Sequence, residues 1–361
     1  MAVVRLIVGL IGLAVVGAML WDAFETVVLP RRVARRLRVA SYIRYVWRVW
    51  VACASRMQRP SRREAYLAYF GPLITLSLLG VWAVGLIVGF GLLQWSLGSQ
   101  MTAPEGHPGF WTDVYLSGTT FFTLGLGDVV PKSAAARLVL VVESGVGFSF
   151  LALIISYLPV IYQGFSRRES RISMLDAWAG SPPSASELLR RSRGDKALLE
   201  PFLREWEGWA ADLLESHISY PVLTYFRSQH DNESWVSAIT TVLDSCTLII
   251  GGVDGAPHRS AELTFAMARH ALVDISILFN QPPVPPDPDR LPDADRAKLM
   301  TVLRANGCPI RADAEAAARV DELRRMYEPY AFGLSQRLAM PLPAWLGVEG
   351  ARDNWQKSRW R

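Results

Sequence analysis

An uninterrupted apolar stretch is the feature of this sequence that most restricts its fold. Residues 65–104 contain no Asp, Glu, Lys or Arg, and residues 69–95 alone exceed the roughly 20 residues that a helix needs to cross a bilayer. A second apolar stretch, residues 138–165, is interrupted only by Glu143 and is followed by two arginines. Because 51% of the 361 residues are also hydrophobic, the sequence predicts a membrane protein rather than one soluble domain.

A further membrane span is predicted at the N-terminus, over residues 1–29, although its apolar core of residues 6–21 is short. A secretory signal peptide is the alternative. No small-residue cleavage pattern follows this core, and residues 31–63 contain eleven arginines and no acidic residue, which favours a cytoplasmic position for them. We therefore expect a multi-pass protein of the plasma membrane, in bacteria the inner membrane, with its C-terminus in the cytoplasm.

The arginine-rich segment, residues 30–65, also contains Trp47 and Trp50. This composition is typical of a basic helix on the inner leaflet, and we expect anionic lipid to bind residues 31–63. A solvated linker helix remains open as an alternative. A voltage sensor is disfavoured, because its arginines would have to lie inside an apolar helix within its own bundle.

Polar and flexible backbone lies between the two long apolar stretches, in the sequence TTFFTLGLGDVVP of residues 119–131. Non-helical backbone at membrane depth is tolerated only where protein buries it or where it lines a water-filled path. Gly125 and Gly127 alternate with leucines, and glycine adopts left-handed φ without steric penalty. Alternating handedness turns successive carbonyl groups toward one side, which predicts a column of oxygen ligands for a dehydrated cation. The predicted ligands are the carbonyl oxygens, with one hydroxyl, of Thr123, Leu124, Gly125 and Leu126.

The spacing Thr120-x-x-Thr123-x-Gly125-x-Gly127-Asp128 resembles the T-x-x-T-x-G-x-G-D signature of the potassium channel pore family. The resemblance implies a pore module over residues 66–166, in which two membrane helices flank a re-entrant loop. It also implies that residues 123–128 form a filter whose carbonyl groups bind K⁺ ions, and that four copies assemble as a homotetramer. No other cofactor and no nucleic-acid partner is expected.

The pore helix is predicted at residues 108–122, with Thr119 and Thr120 in its last turn. Its C-terminal dipole favours a cation in the conduction path, and Asp128 is expected to form a negative ring at the outer mouth. The sequence departs from the family at Leu126, where an aromatic residue is usual. It departs again at Leu116, where the family often has a tryptophan that bonds to the filter aspartate. Tyr115 and Trp111 are the candidate replacements for that tryptophan.

Four residues of the last span are candidates for a role in gating. Gly145 and Gly147 resemble the flexible point of the family's inner helices, although glycine also allows membrane helices to pack closely. Pro159 removes one helical hydrogen bond near the cytoplasmic end. A carboxylate at Glu143 is costly without a partner, so it is expected to bond to the pore helix near Ser117 or Thr119, or else to sense protons.

Residues 167–361 predict an all-helical cytoplasmic domain. Apolar residues recur with helical periodicity, Ser184 and Glu187 have the spacing of a capping box, and the Pro-rich residues 281–289 predict a stiff connector. The string at residues 251–255 is expected to be a loop and not a nucleotide site. Helices are predicted over residues 198–214, 235–250, 263–279 and 314–327.

No spacing of cysteines and histidines indicates a metal site, and no catalytic constellation indicates an enzyme. The sequence as a whole predicts an all-α, potassium-selective channel whose cytoplasmic domain regulates the pore through an unknown ligand. Two alternatives remain open. One is a weakly selective cation channel, and the other is a membrane receptor or scaffold in which the pore is vestigial.

Overall fold

A computed structural model describes residues 2–27, 38–98, 100–104, 106, 109–229, 232–348, 350 and 353–356. It divides into two compact units that alternate along the chain. The first unit comprises Met1–Arg56 and Pro72–Tyr162, and the second comprises Met57–Gly71 and Gln163–Arg361.

Helices make up most of the part of the chain that the structure describes. The first six are α1 (Ala2–Val27), α2 (Arg38–Ala54), α3 (Pro60–Ala68), α4 (Phe70–Leu97), α5 (Phe110–Phe121) and α6 (Ala134–Ala179). The next six are α7 (Ala185–Ser192), α8 (Lys196–Ser219), α9 (Trp235–Gly252), α10 (His258–Leu278), α11 (Asp293–Ala305) and α12 (Ala314–Leu338). Two short strands flank α5, and β1 (Met101–Thr102) pairs antiparallel with β2 (Val130–Pro131).

Four described helical stretches are long and apolar enough to cross a membrane. Three of them are α1, the stretch Pro60–Leu97 that contains α4, and α6. The fourth is α9, but 94% of its apolar window is buried inside the structure. Since a helix that is apolar all round can also be the core of a soluble domain, α9 is explained by its packing within the second unit.

In the first unit, α1 packs antiparallel along α4 through small residues. A Cβ atom added at Gly12 would lie 2.8 Å from the Gly89 carbonyl oxygen, and one added at Gly85 would lie 2.6 Å from Met19 Sδ. Small residues let membrane helices approach closely in this way. A hydrogen bond also joins the two helices. Trp82 Nε1 of α4 donates to Asp22 Oδ2 of α1 at 2.7 Å.

The helix α6 runs without interruption from Ala134 to Ala179 and includes Pro159. It therefore continues beyond the apolar stretch that ends at residue 165, and its last part belongs to the second unit. Proline lacks an N–H group, so one intrahelical hydrogen bond is missing at this point.

The second unit is built around α9. All but one of the 18 residues of α9 are buried, and α8, α10 and α12 supply large apolar side chains to the same core. Ser184 Oγ accepts a hydrogen bond from the Glu187 N–H group at 3.3 Å, so it caps the start of α7. In a full capping box the Glu187 side chain would accept from the Ser184 N–H group. Here the Glu187 carboxylate pairs with Arg190 and Arg191 instead.

Several predicted boundaries in the second unit were wrong. The helix α10 begins at His258 rather than at residue 263, α12 continues past Tyr327 to Leu338, and α11 was not predicted. Gly251 and Gly252 lie in the last turn of α9 and not in a loop. Both glycines face α12, where a Cβ atom added at Gly252 would lie 3.3 Å from Ala316 Cβ, so their small size allows close packing of the two helices.

A buried charge network ties the segment before α11 to α9 and α12. Asp244 is fully buried, and its two carboxylate oxygens accept from Arg290 at 3.2 and 2.6 Å. Tyr327 donates to the same carboxylate at 2.5 Å, and Arg290 also pairs with Glu328 at 2.8 Å. A buried charge is tolerated only when it is paired and hydrogen-bonded, so these residues fix how the three segments meet.

The packing of α1 on α4 can be tested at Gly12. We expect Gly12→Leu to destabilise the protein by roughly 1–3 kcal/mol, because overpacking a close helix contact displaces backbone. The matched control is Gly17→Leu in the same helix, since a Cβ atom at Gly17 has no neighbour within 4 Å. The measurement is the melting temperature of the purified protein in detergent. Equal melting temperatures for the two variants would contradict the packing.

Candidate functional site

The helix α5 positions the candidate site, and its two ends are fixed by backbone groups and hydroxyls. At its start the Gly109 N–H group donates to Thr112 Oγ1 at 3.2 Å. In its last turns the Thr119 and Thr120 hydroxyls donate to the Leu116 carbonyl oxygen at 3.0 and 2.8 Å. The Thr119 carbonyl oxygen lies in the last turn, where a helix offers it no donor, so it can accept from the chain beyond the helix. The described helix is shorter at both ends than residues 108–122, and residue 108 lies outside the described residues.

Residues 123–128, the filter segment, leave the helix with alternating backbone handedness. The φ angles are 57° at Thr123, 54° at Gly125 and 75° at Gly127, with leucines of ordinary φ between them. A left-handed φ costs glycine nothing, but it is an outlier for a β-branched threonine. The alternation turns successive carbonyl groups toward one side, which is the arrangement that a ladder of oxygen ligands requires.

The first amide groups of the filter segment donate to carbonyl oxygens of α5. The Leu124 N–H group donates to the Thr119 carbonyl oxygen at 2.8 Å, and the Thr123 N–H group donates to the Thr120 carbonyl oxygen at 3.0 Å. Within the part of the chain that the structure describes, no hydrogen bond reaches the carbonyl oxygens of residues 123–126. The first residues of the segment therefore donate to α5, whereas the carbonyl oxygens of residues 123–126 have no donor among the described residues.

Asp128 is held at the end of the filter segment by Tyr115. The Tyr115 hydroxyl donates to Asp128 Oδ2 at 2.8 Å, and the Val129 N–H group donates to Oδ1 at 3.1 Å. Of the two candidate replacements for the missing tryptophan, Tyr115 makes this bond, whereas Trp111 is 78% exposed. Leu116 is buried instead.

Glu143 contacts the back of α5 through Ser117. It is fully buried, and its Oε1 atom shares a hydrogen bond with the Ser117 hydroxyl. The same hydroxyl lies 2.7 Å from the Ile87 carbonyl oxygen of α4. A hydroxyl has one proton and a carbonyl has none, so both bonds form together only when the Glu143 carboxyl group carries a proton. A neutral carboxyl group also suits a fully buried site, because burial of an unpaired charge is costly.

The two glycines of α6 differ in their surroundings. A Cβ atom at Gly147 would collide with the Phe121 carbonyl group of α5, whereas a Cβ atom at Gly145 would have no neighbour within 4 Å. The close approach at Gly147 brings α6 against the end of α5 and so helps to position the filter segment.

Among the described residues, no group of three or more His, Cys, Asp or Glu side chains could hold a metal ion. The arginines at positions 31, 32, 35 and 36 of the predicted lipid-binding segment lie outside the described residues. Of those that follow, Arg48, Arg56, Arg59, Arg62 and Arg63 are exposed.

Comparison with known proteins gives two matches. Residues 77–163 match a protein-family model described as ion channel. Over 233 residues the chain is 22% identical to the uncharacterized membrane protein YdjJ of Bacillus subtilis (strain 168), which covers 62% of this chain and 67% of that protein. No solved structure matches the chain. The chain is thus a multi-pass membrane protein with an ion channel domain, and the matched family is one of channels and not of enzymes.

The bond between Tyr115 and Asp128 can be tested by removing one hydroxyl group. We expect Tyr115→Phe to shorten the lifetime of the conducting filter several-fold, because a net hydrogen bond contributes about 1 kcal/mol. The measurement is single-channel recording of the purified protein in a lipid bilayer. The control is Trp111→Phe, which should behave like the unmodified protein. An unchanged lifetime in Tyr115→Phe would rule out this bond as a support of the filter.

The proton on Glu143 can be tested by comparing two substitutions. Glutamine also offers an N–H donor to Ser117, so we expect Glu143→Gln to change stability by less than about 1 kcal/mol. Glu143→Ala leaves a cavity and should cost about 2 kcal/mol or more. The measurement is the melting temperature in detergent. If Glu143→Gln destabilises the protein as much as Glu143→Ala, the site holds a charged carboxylate and the assignment of the proton is wrong.

Proposed function

We propose that this protein is a potassium-selective channel in which four copies of the chain form one conduction path. The observation that carries the proposal is the left-handed φ at Thr123, Gly125 and Gly127 within the T-x-x-T-x-G-x-G-D sequence. This sequence lies inside the matched ion channel domain. Its carbonyl groups face one side without donors, and a ring of carbonyl oxygens is what replaces the hydration shell of K⁺ in a filter. The proposed ligands are the oxygens of Thr123, Leu124, Gly125 and Leu126.

The exposure of the filter segment supports assembly as a homotetramer. The side chains of Leu124 and Leu126 are 62% and 64% exposed in the single chain, and the neighbouring Phe122 is 60% exposed. Lipid cannot cover this surface, because it would also meet polar backbone that has no hydrogen-bond partner. Further copies of the same segment supply apolar cover for the leucines and oxygen ligands for a shared ion.

The channel is proposed to lie in the plasma membrane, which in bacteria is the inner membrane, with its C-terminus in the cytoplasm. Anionic lipid is the proposed partner of residues 31–63, because the described part of this segment exposes five arginines. The second unit is proposed to regulate the pore. The only other bound species that the proposal requires is K⁺, and no cofactor or nucleic acid takes part.

A weakly selective cation channel is the second candidate, and Leu126 favours it. A leucine lacks the aromatic ring that would brace the filter from behind, and this side chain is largely exposed in the single chain. The bond from Tyr115 to Asp128 favours the selective channel instead, because it restrains the outer end of the filter segment. A receptor or scaffold with a vestigial pore would conduct no ions at all.

The three functions differ in their reversal potentials. In liposomes that contain the purified protein, we expect the reversal potential to follow the K⁺ gradient when external K⁺ is replaced by Na⁺, and we expect barium to block. A reversal potential that stays the same when Na⁺ replaces K⁺ indicates the weakly selective channel. An absence of current indicates the receptor or scaffold.

A glycine substitution tests the carbonyl ladder itself. Gly125→Ala should abolish selective current, because a Cβ atom penalises left-handed φ by roughly 1–2 kcal/mol in each of four copies. The control is Gly80→Ala in α4, where glycine is helical and an added Cβ atom has no neighbour within 4 Å. The measurement is the permeability ratio of K⁺ to Na⁺. Unchanged selectivity in Gly125→Ala would refute the ladder.

A further inference from the structure

The segment at residues 221–227 of the second unit contacts the start of α4 and the last part of α6, the two helices that flank α5 in the chain. It consists of a 3₁₀ helix, Pro221–Tyr225, followed by Phe226 and Arg227. Phe226 is 4% exposed. The second unit also contains α3, the first two residues of α4 and the last part of α6. In the chain, α4 precedes the helix α5 that carries the filter segment, and α6 follows it.

On one side the 221–227 segment packs against α3 and the start of α4. The rings of Tyr225 and Phe70 are 5.2 Å apart. The ring of Phe226 lies directly on Gly71, where an added Cβ atom would be 2.6 Å from Cδ2. Next to it, Arg227 Nη1 donates to Glu64 Oε2 at 2.6 Å.

On the other side the same segment packs against α6. The ring of Phe165 is 5.5 Å from the ring of Phe226. Arg168 donates to two backbone carbonyl oxygens of the segment, from Nη1 to Leu223 at 2.9 Å and from Nη2 to Phe226 at 2.8 Å. Phe226 is therefore wedged between the start of α4 and the last part of α6.

Arg168 is held rigidly by its remaining neighbours. It is 3% exposed, and its Nε atom donates to Glu169 Oε1 at 2.9 Å. His217 Nδ1 lies 2.8 Å from the Leu213 carbonyl oxygen and must donate to it, so Nε2 accepts from Arg168 at 3.3 Å. Burial, and then the charge of Arg168, lower the pKa of His217 to about 3, which keeps this ring neutral and able to accept.

The 221–227 segment is also fixed to the rest of the helical domain. Trp235 Nε1, at the start of α9, donates to the Thr224 carbonyl oxygen at 3.2 Å. Arg227 Nη2 donates to the carbonyl oxygens of Leu338 and Ala339, at the end of α12, at 2.8 and 2.9 Å. A movement of α9 or α12 thus reaches this segment directly through hydrogen bonds.

We propose that the 221–227 segment is the coupling element of the channel, and that it transmits rearrangements of the helical domain to α4 and α6, with Phe226 as the wedge between them. This inference rests on the proposed function, and it specifies how the pore would be regulated. A domain can bias opening only if its own contacts differ between two states. The contacts of Phe226 with both helices cannot all be kept when those helix ends move relative to each other.

The test compares two buried phenylalanines in the full-length protein. Phe226→Ala removes the wedge, and the matched control Phe265→Ala removes a ring of similar burial from α10, where it packs on Tyr327. We expect both variants to lower the melting temperature. Only Phe226→Ala should change the open probability, by about fivefold or more, as is usual for allosteric coupling. The reversal potential should stay that of the unmodified protein.

The proposal would be overturned if Phe226→Ala left the open probability unchanged. It would also be overturned if Phe265→Ala changed the open probability as much as Phe226→Ala does. These outcomes are separate from a failure of the proposed function, because weak selectivity or absent current would appear in the unmodified protein. Open probability can be measured whichever cation the pore conducts.

A second pair of variants keeps the test valid if Phe226→Ala does not fold. Glu64→Gln breaks the ion pair of the 221–227 segment, whereas Glu262→Gln breaks the pair with Arg259 in α10. The two glutamates are matched in exposure, at 46% and 48%. We expect only Glu64→Gln to change the open probability, by about twofold, as fits a half-exposed ion pair. Open probabilities equal to that of the unmodified protein in both variants would overturn the proposal.

Discussion

The first unit depends on one constraint: at membrane depth, backbone groups that are not in a helix still need hydrogen-bond partners. Lipid offers no partner for such groups, and each one left alone costs several kcal/mol. The filter segment meets part of this requirement within the chain, since the N–H groups of its first three residues donate to the last carbonyl oxygens of α5. Its own carbonyl oxygens have no donor among the described residues. The proposed K⁺ ion, shared between copies of the chain, would act as the partner of these oxygens.

Polar side chains then fix the position of α5 relative to its neighbours. A serine hydroxyl links α5 to a carbonyl group of α4 and to a carboxyl group of α6, and a tyrosine of α5 bonds to the aspartate after the filter segment. In a medium of low dielectric these bonds are costly to break, because each separated group would remain unsolvated. Apolar packing alone would not fix how far α5 is shifted along α4 and α6 as strictly as these hydrogen bonds do. The polar contacts therefore determine where the carbonyl groups lie, and the apolar residues supply the cohesion around them.

The sequence predicted those features that depend on local chemistry. Three apolar stretches lie in the helices α1, α4 and α6, and left-handed φ at Gly125 and Gly127 agrees with the special freedom of glycine. The sequence predicted that Glu143 bonds to the pore helix near Ser117 or Thr119, and in the structure Ser117 forms the hydrogen bond. The roles proposed for these residues in conduction and gating stay predictions, since geometry alone measures neither. Other features required the structure because they depend on contacts between distant segments. The wedge at Phe226, the network around Asp244 and the choice of Tyr115 over Trp111 have no signal in the local pattern of residues.

Glycine shows most directly why the sequence alone leaves function open. At Gly125 and Gly127 the residue is needed for its φ angle, whereas at Gly12 and Gly147 it is needed because the backbone of another helix occupies the space of a side chain. Gly145 meets neither requirement, since it is helical and has open space beside it. Glycine in a helix costs about 1 kcal/mol relative to alanine, and within the single chain no close contact of Gly145 offsets this cost. Of the two glycines considered as a flexible point, Gly147 is explained by its contact with Phe121, whereas the role of Gly145 in gating stays a prediction.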